Sequence, residues 1–362
     1  MVSSFSREGV KVGEVNLRDL LRVAVTEKAS DLLVTVGAPA VLRIQGELVS
    51  TNTPVFAHEE TLSLIRSVLT SEQVETLERD RELDFAVELD GVGRFRGNAF
   101  FQRGSMGAAF RLIGREIPSI ETLGLPPVLQ DYALMPQGLF LVTGPTGHGK
   151  STTQAAMIDI INTQTRKHIV TIEDPIEYLH ENKKSIIEQR EVGSDTHSFA
   201  DALRHVLRQD PDVVLIGELR DLETIRTALT AAETGHLVIA TLHTNDCVQS
   251  IDRLVDVFPP HQQSQIRSQL SLTLQAILAQ RLVRGVTGDL VLATELLVNN
   301  SAVSNLIREG KVHQIYSVME THAREGMRLM DSSMRDLYRN GEISFEEARK
   351  RMRHPDSLTR DF

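Results

Sequence analysis

Four runs of consecutive apolar residues organise the pattern of the second half of the chain. They lie at 139–143, 169–172, 213–216 and 237–241. A short continuous apolar run is typical of a strand buried on both faces, and helical periodicity between the runs predicts covering helices. The alternation indicates a parallel sheet, followed from about residue 260 by a helical tail with one strand at 290–297.

The first half mixes helical stretches with alternating ones. Alternation of apolar and polar residues is typical of half-buried antiparallel strands. Helices are predicted at 16–27, 59–69 and 71–79, and strands at 31–36, 40–44, 83–89, 93–102 and 105–112. This half therefore indicates a small α+β domain.

The length of the chain and the prolines between its halves indicate two domains. At 362 residues the chain is longer than one hydrophobic core usually is. Pro118, Pro126 and Pro127 interrupt both patterns and predict a linker. We therefore expect a first domain at 1–113, a linker at 114–132 and a second domain at 133–362 that includes the helical tail.

The composition of the chain mainly argues against certain classes of protein and of site. The net charge is −10, and aromatic residues make up 4% of the chain. This balance argues against broad nucleic-acid binding. No apolar run reaches the roughly 18 residues of a membrane span, and the first residues lack the apolar core of a signal peptide. Cys247 is the single cysteine, which excludes an intrachain disulfide and a cysteine-cluster zinc site, so we expect a cytoplasmic protein.

A glycine-rich loop follows the first apolar run. Residues 144–151 match the phosphate-cradling pattern G-x-x-x-x-G-K-[ST], for which a chance match is the alternative. Glycines let backbone N–H groups face a polyphosphate, Lys150 can reach its β- and γ-phosphates, and the Ser151 hydroxyl can hold Mg²⁺. The following helix adds its positive dipole end. The nucleotide-binding candidates are Gly144, Pro145, Thr146, Gly147, His148, Gly149, Lys150, Ser151 and Thr152.

Two carboxylates follow apolar runs, at the edge of an open parallel sheet where ligands bind. Glu173 can hold Mg²⁺ or orient a water, and the alternative is a solvated loop acid. Glu218 follows Gly217, which stands where many P-loop proteins have Asp. It is a candidate general base or water-positioning group for attack on a γ-phosphate. The alternative for Glu218 is a structural ion-pair acid.

One histidine and several arginines complete the candidate chemistry. His243 begins a polar loop after 237–241, where it could sense a γ-phosphate. A packed or surface role is the alternative, and zinc lacks a second ligand at suitable spacing. Arg94, Arg96 and Arg111 lie in predicted strands of the first domain. They are surface charges, or fingers that neutralise γ-phosphate charge across a subunit interface.

Together these stretches resemble the secretion-ATPase superfamily, and within it the PilT-type ATPases of type IV pilus retraction. The resemblance extends from about Leu17 to Leu358. It comprises the Walker A loop, an Asp box at 172–177, a Walker B motif at 218–221 and a His box at 235–244. The family implies the α/β class, with a RecA-like P-loop ATPase domain after a small PAS-like α+β domain. It also implies a ring of six subunits, in which Arg96 and Arg111 match the arginines that reach the nucleotide.

Three positions depart from the family pattern. His148 replaces the usual P-loop serine, and Leu33 stands where the family usually has His. Ser304 replaces the arginine of a retraction-associated A-I-R-N-L-I motif. PilU-type accessory retraction ATPases therefore remain an alternative. Extension ATPases and type II secretion ATPases usually carry extra N-terminal domains and a four-cysteine zinc element, for which this chain has neither the length nor the cysteines.

The resemblance implies a hexameric motor that hydrolyses ATP with Mg²⁺ and retracts a type IV pilus, in twitching motility or DNA uptake. Glu218, Glu173, His243, Arg96 and Arg111 would act in hydrolysis, while Ser151, Glu173 and Glu218 would hold the metal. The implied partners are a homohexamer, an inner-membrane pilus platform protein and a paralogous accessory ATPase, at the inner face of the cytoplasmic membrane. A RecA-like nucleic-acid motor and an assembly factor that binds ATP without useful hydrolysis are alternatives, and direct nucleic-acid contact is not expected.

Overall fold

A computed structural model of the chain describes residues 15–44, 46–114 and 116–358. Residues 1–14 belong to the predicted first domain and lie outside the described residues. The chain divides into two compact units, Met1–Gly114 and Arg115–Phe362. Over the described ranges, no helix has the length and apolar character that a membrane span requires.

The first unit is an antiparallel sheet with three helices in its described part. The strands are β1 (Asp31–Val34), β2 (Val41–Ile44), β3 (Glu47–Ser50), β4 (Glu82–Leu89), β5 (Gly93–Gln102) and β6 (Ser105–Leu112), in the spatial order β3-β2-β1-β6-β5-β4. The helices are α1 (Leu17–Thr26), α2 (His58–Arg66) and α3 (Ser71–Asp80). The Asn16 side chain caps α1 by accepting from Asp19 N. Leu21, Phe95 and Phe110 belong to the buried core of this unit.

The second unit is built on a largely parallel sheet. In spatial order its strands are β13 (Leu290–Val298), β12 (Leu274–Arg284), β7 (Gly138–Thr143), β11 (Leu237–Leu242), β10 (Val213–Ile216), β8 (His168–Glu173) and β9 (Ile186–Glu191). Neighbouring strands are parallel, except that β12 and β13 are antiparallel. Every residue of β7, β10 and β11 is buried, as the continuous apolar runs predict.

Helices of the second unit connect these strands and form its C-terminal part. They are α4 (Leu129–Ala133), α5 (Lys150–Gln164), α6 (Phe199–Val206), α7 (Leu222–Glu233), α8 (Cys247–Asp256), α9 (Pro260–Thr273), α10 (Ser301–Glu309), α11 (Ile315–Thr321), α12 (Met330–Arg339) and α13 (Phe345–Arg351). Alternate residues of β7 enter two different apolar cores: Leu139 and Leu141 one, Phe140 and Val142 the other. The sheet is therefore buried on both faces.

The pattern of apolar residues misses two strands that flank the parallel core. It does not predict β9, and it predicts helix where β12 lies. Leu, Ala and Gln are frequent in β12, and these residues favour helices when only local propensity counts. Pairing with β7 on one side and β13 on the other overrides that preference. The prediction of a helical tail is therefore wrong over Leu274–Arg284.

The prolines predict a linker at 114–132. In the described part of this segment, several apolar residues are instead packed in the second unit. Ile120, Leu125, Leu129 and Tyr132 are buried in a core of the second unit. The Tyr132 ring lies 5.5 Å, centroid to centroid, from the ring of Phe140 on β7. The prolines interrupt the local periodicity, but the apolar residues between and after them attach the segment to the sheet.

A buried carboxylate fixes the helix that follows the loop after β11. Glu295 on β13 is 3% exposed, and it accepts hydrogen bonds from Cys247 N at 2.9 Å and from Met330 N at 3.1 Å. Burial raises the pKa of Glu295, and the two backbone donors act against that shift. The carboxylate thus ties the first turns of α8 and α12 to the sheet. Since α8 begins shortly after His243, this tie also limits the loop that carries the histidine.

Candidate functional site

The glycine-rich loop, the two acids and the histidine follow the carboxyl ends of neighbouring parallel strands. The loop at 144–149 follows β7, His243 follows β11, Glu218 comes shortly after β10, and Glu173 ends β8. Because these four strands are adjacent and parallel, their carboxyl ends meet at one edge of the sheet. The topology therefore gathers groups that are far apart in the sequence.

Gly144, Gly147 and Gly149 all have positive φ angles, which favour glycine in the loop. Gly144 has a φ of +143°, and a Cβ there would lie 2.3 Å from the backbone carbonyl oxygen of Gln280 on β12. Gly149 has a φ of +81° and is the N-cap of α5, in the left-handed region that favours glycine. The loop therefore packs against β12 where it starts and turns directly into a helix whose first N–H groups can face an anion.

Lys150 is buried at the start of α5 with its ammonium group turned toward the loop. Its Nζ donates to the carbonyl oxygens of Gly144 at 2.8 Å and of Pro145 at 3.0 Å. Burial lowers the pKa of Lys150, and the charges of Glu218 and Glu177 act against that shift. Two carbonyl dipoles offset the ammonium charge less well than an anion does. The glycine turn and this buried cation together fit the polyphosphate of a nucleotide.

His243 lies between Lys150 and Glu218. Its Nε2 is 3.2 Å from Glu218 Oε2, and its Nδ1 is 3.3 Å from both Lys150 Nζ and Thr146 Oγ1. An ammonium group can only donate, so in the neutral ring Nδ1 accepts and the proton is on Nε2, facing the carboxylate. His243 is therefore not an isolated surface residue. No group of three or more His, Cys, Asp or Glu suited to a metal ion occurs in the described part of the chain.

The Glu218 carboxylate has a second basic neighbour. Arg220 Nε is 2.7 Å from Oε2, the oxygen that also faces His243. Glu218 therefore takes part in ion pairs, which agrees with the alternative interpretation of the sequence. Its neighbour His243 also contacts the P-loop lysine, Lys150. The two basic groups hold the carboxylate in one orientation at the ligand-binding edge. A carboxylate placed there can accept a proton from a water that attacks a phosphate.

Glu173 differs from Glu218 because the groups that bind it are neutral. Thr171 Oγ1 donates to its Oε1 at 2.6 Å, Gln189 Nε2 donates to the same oxygen at 3.2 Å, and the backbone of Glu177 donates as well. Burial raises the pKa of Glu173 to about 7 despite these donors. No cation of the described residues contributes to this environment. Glu173 is therefore a half-buried, hydrogen-bonded acid rather than a solvated loop acid. A poorly solvated carboxylate without a cationic neighbour is suited to a divalent cation.

The first turn of α5 carries two hydroxyl groups, those of Ser151 and Thr152. Thr152 Oγ1 lies 2.9 Å from the hydroxyl of Tyr178, which joins the helix to the segment after Glu173. Mg²⁺ usually takes few protein ligands and shares the oxygens of a bound phosphate. The Ser151 hydroxyl, with acids at neighbouring strand ends, fits an ion that arrives with a nucleotide better than it fits an all-protein metal site.

His148 attaches the loop to β12. Its Nδ1 accepts a hydrogen bond from Leu282 N at 2.9 Å. Burial is the largest cause that lowers the pKa of His148, followed by the charges of Arg281, Arg351 and Lys150. The ring is therefore held neutral, with Nδ1 available as an acceptor. Together with the packing of Gly144 on Gln280, this bond gives the loop two attachment points on one strand.

The two arginines that match the family lie in the first unit. Arg96 on β5 and Arg111 on β6 are directly opposite each other. Arg111 Nε is 2.9 Å from Asp31 Oδ1, and Arg96 Nη2 is 3.8 Å from Asp84 Oδ1. The Arg111 side chain is 71% exposed and the Arg96 side chain 47%. Within their own unit they are exposed ion pairs, and their action on a nucleotide stays a prediction.

Sequence reasoning does not identify three residues that shape this edge of the sheet. Gln189 on β9 contacts Glu173, the backbone of Gln280 on β12 packs on Gly144, and Tyr178 contacts Thr152. Two of the three lie on strands that the apolar pattern does not predict. No periodicity therefore points to them, and only their spatial neighbours reveal what they do.

The chain is similar to known proteins over nearly its whole length. Residues 109–290 match the family model described as Type II/IV secretion system protein. The "Type IV pilus retractation ATPase PilT" of Pseudomonas aeruginosa is 45% identical over 95% of this chain and 100% of its own. The "Type IV pilus ATPase PilU" of the same organism is 41% identical over 93% of this chain and 88% of its own.

A solved structure extends this similarity to three dimensions. It is described as "Crystal Structure of the Pilus Retraction Motor PilT and Bound ADP", and it matches with a TM-score of 0.88 at 48% identity. The match covers 95% of this chain and 99% of that one. It confirms the predicted α/β class, in which a catalytic ATPase domain follows a smaller N-terminal domain.

We expect Glu173→Gln to remove part of the pH dependence of stability in the absence of nucleotide and metal. The pKa of Glu173 rises from 4.5 to about 7 on folding, so the folded chain holds a proton that the unfolded chain releases. The associated stabilisation is complete below the unfolded pKa and is lost as pH rises through about 7. The variant should therefore gain a few degrees in melting temperature over wild type at about pH 8.5 and less at about pH 6.

Scanning fluorimetry at the two pH values measures this difference. Glu188→Gln is the matched control, because Glu188 is the exposed neighbour of Gln189 on β9. The pKa assignment is contradicted when Glu173→Gln shifts the melting temperature by the same amount at both pH values.

His148→Ala should weaken nucleotide binding by about fivefold, since one lost hydrogen bond costs about 1 kcal/mol and the loop loses an attachment to β12. Titration with a fluorescent ADP derivative measures the dissociation constant. His148→Asn can replace Nδ1 by an amide oxygen and should keep most of the affinity. Equal losses in the two variants would show that the bond to Leu282 is not what matters.

Proposed function

The chain belongs to the type II/IV secretion system family as a PilT-type retraction ATPase, and from this membership we propose that it is a hexameric motor that hydrolyses ATP to retract a type IV pilus. The contact series Lys150–His243–Glu218 carries the proposal, because it joins the phosphate-binding lysine to a general base through one imidazole. The similarity of the whole chain to a pilus retraction ATPase supports the mechanical role.

Phosphate binding rests on the loop and its lysine. Lys150 exchanges the carbonyls of Gly144 and Pro145 for oxygens of the β- and γ-phosphates, and the N–H groups of the loop and of the first turn of α5 donate to the others. When bound, Mg²⁺ offsets the charge that develops on the phosphates. Ser151, Glu173 and Glu218 are the residues that would hold it.

Hydrolysis requires a base and a signal that the γ-phosphate is present. Glu218 orients the attacking water and accepts its proton, held for this by Arg220 and His243. His243 contacts both Lys150 and Glu218, so a γ-phosphate that displaces it from the lysine also changes the environment of the base. In this proposal His243 is the sensing residue, and Glu173 assists by holding the metal or orienting the water.

The remaining assignments follow the family. Arg96 and Arg111 neutralise phosphate charge during hydrolysis, and the active form is a homohexamer. The ring acts on an inner-membrane pilus platform protein from the inner face of the cytoplasmic membrane, with a paralogous accessory ATPase as a further partner. An acidic chain with few aromatic residues is poorly suited to be a nucleic-acid motor. ATPase stimulation by DNA with a steep salt dependence would support that alternative instead.

An accessory, PilU-type role is the second candidate. It is favoured by Ser304, which stands in place of the arginine of the retraction-associated motif. The Ser304 hydroxyl donates to the carbonyl oxygen of Ser271 on α9 at 2.8 Å, so this position serves the contact between α9 and α10. An accessory ATPase would need its paralogue for retraction, whereas a principal motor would not.

Glu218→Ala should bind ATP and lose at least about 100-fold in turnover, because general-base catalysis typically contributes that much. Steady-state phosphate release with Mg²⁺ and ATP measures turnover, and titration with a fluorescent nucleotide measures binding. Glu223→Ala, an exposed acid in the first turn of α7, is the control and should be unchanged. Wild-type phosphate release by Glu218→Ala would remove Glu218 from the mechanism. If the wild-type chain itself released no phosphate, an assembly factor that binds ATP without useful hydrolysis would be favoured.

Deletion of the gene should leave cells with more surface pili and without surface motility, since pili are still assembled but not retracted. Electron microscopy of pili and a surface-spreading assay measure the two properties. Complementation with wild type should restore motility, and complementation with Glu218→Ala should not. Cells without pili would contradict retraction and point to assembly.

A further inference from the structure

Polar side chains cluster on one face of the β8–β9 pair, next to Glu173. The pairing register puts Gln189 opposite Thr171 and Glu191 opposite Glu173. Alternate residues of a strand share a face, so these four side chains lie on the same side of the sheet. The contacts agree with the register, since Thr171 and Gln189 both donate to Glu173 Oε1.

The side-chain amide of Gln189 makes three hydrogen bonds within this cluster. Nε2 donates to Glu173 Oε1 at 3.2 Å and to the carbonyl oxygen of Tyr178 at 2.8 Å. Oε1 accepts from His180 N at 2.9 Å. A rotated amide would place its oxygen against two other oxygens, so the partners determine its orientation. One side chain therefore holds both ends of the segment 173–180.

The segment 173–180 connects Glu173 to α5, the helix that follows the P-loop. Near its far end, the Tyr178 hydroxyl contacts Thr152, which directly follows Ser151. In its middle, Ile176 N donates to Glu191 Oε2 at 3.0 Å. The segment is thus attached to α5 at one point and to β9 along its length, and Gln189 lies between the α5 attachment and Glu173.

We propose that Gln189 is a positioning residue for ATP hydrolysis, a role that rests on the function proposed above: its amide orients the Glu173 carboxylate and links it, through Tyr178, to the first turn of α5. A shift of that turn when a nucleotide binds is carried to Glu173 by hydrogen bonds that are already formed. Orientation by an outer hydrogen-bond partner is a common feature of carboxylates that ligate metals.

The chemistry of glutamine suits this task better than that of a charged residue. A lysine or arginine at this position would neutralise Glu173 and weaken its attraction for a divalent cation. A glutamate could not donate to it and would repel it. An uncharged amide donor fixes the carboxylate and leaves its negative charge for the metal.

Gln189→Met tests the proposal, because methionine has a similar length and makes none of the three bonds. We expect kcat for phosphate release to fall by about tenfold or more, as is typical for loss of an outer-shell partner, while the KM for ATP and the affinity for ADP change little. Glu188→Met is the matched control on the other face of β9 and should keep the wild-type rate. Melting temperatures of all variants report on folding.

A double variant separates positioning from a general structural effect. In a Glu173→Gln background the amide has no carboxylate to orient, so Gln189→Met should lower the residual rate by less than about twofold. A loss by the same factor in both backgrounds would show that Gln189 acts elsewhere and would overturn the proposal. Wild-type kcat in Gln189→Met would overturn it as well.

Two further results keep the outcome unambiguous. If Gln189→Met does not fold, Gln189→Glu keeps the acceptor for His180 N, and it should fold and lose about tenfold or more in kcat. A wild-type rate in that variant contradicts the proposal. The wild-type chain is assayed first with Mg²⁺ and ATP, so absence of its phosphate release rejects the proposed function, whereas an active wild type with an equally active Gln189→Met rejects only the role of Gln189.

Discussion

The parallel pairing of β7, β11, β10 and β8 is the constraint on which the site depends. Three of these strands are entirely buried, so their register cannot slip without exposing apolar side chains or breaking a ladder of backbone hydrogen bonds. Their carboxyl ends are therefore held at fixed relative positions. These strand ends in turn fix the positions of the P-loop, His243, Glu218 and Glu173. No long loop is needed to bring these groups together.

At that edge the structure holds a buried lysine and a half-buried glutamate, Lys150 and Glu173, whose charges do not neutralise each other. Lys150 is bonded to backbone carbonyls, and Glu173 is bonded to a hydroxyl and to amides. Burial therefore disfavours both charged forms, lowering the pKa of the lysine and raising that of the acid. A phosphate beside the first group and a divalent cation beside the second would relieve both costs. The two pKa shifts therefore agree with the metal–nucleotide complex proposed above.

The strands that flank the parallel core have supporting roles of their own. On one side β12 carries the backbone on which Gly144 packs and the N–H that His148 accepts. On the other side β9 supplies Gln189, which holds the segment after Glu173. Both strands contact residues that take part in the proposed reaction, but neither supplies a residue that would act on the nucleotide directly. They explain how a P-loop with an unusual histidine, and an acid without a cationic partner, are kept in defined positions.

The four apolar strands, the glycine-rich loop and the order of the motifs can be predicted from the amino-acid sequence, because strand burial and loop chemistry are local properties of neighbouring residues. The same patterns predict roles for Lys150, Glu173, Glu218 and His243, and they indicate the family, which the comparisons confirm. Tertiary contacts, by contrast, make Leu274–Arg284 a strand, bury residues of 116–132 in the second unit, and give His148 and Gln189 their partners at this edge. Those features depend on which distant backbone lies alongside, and no local pattern of residues records that.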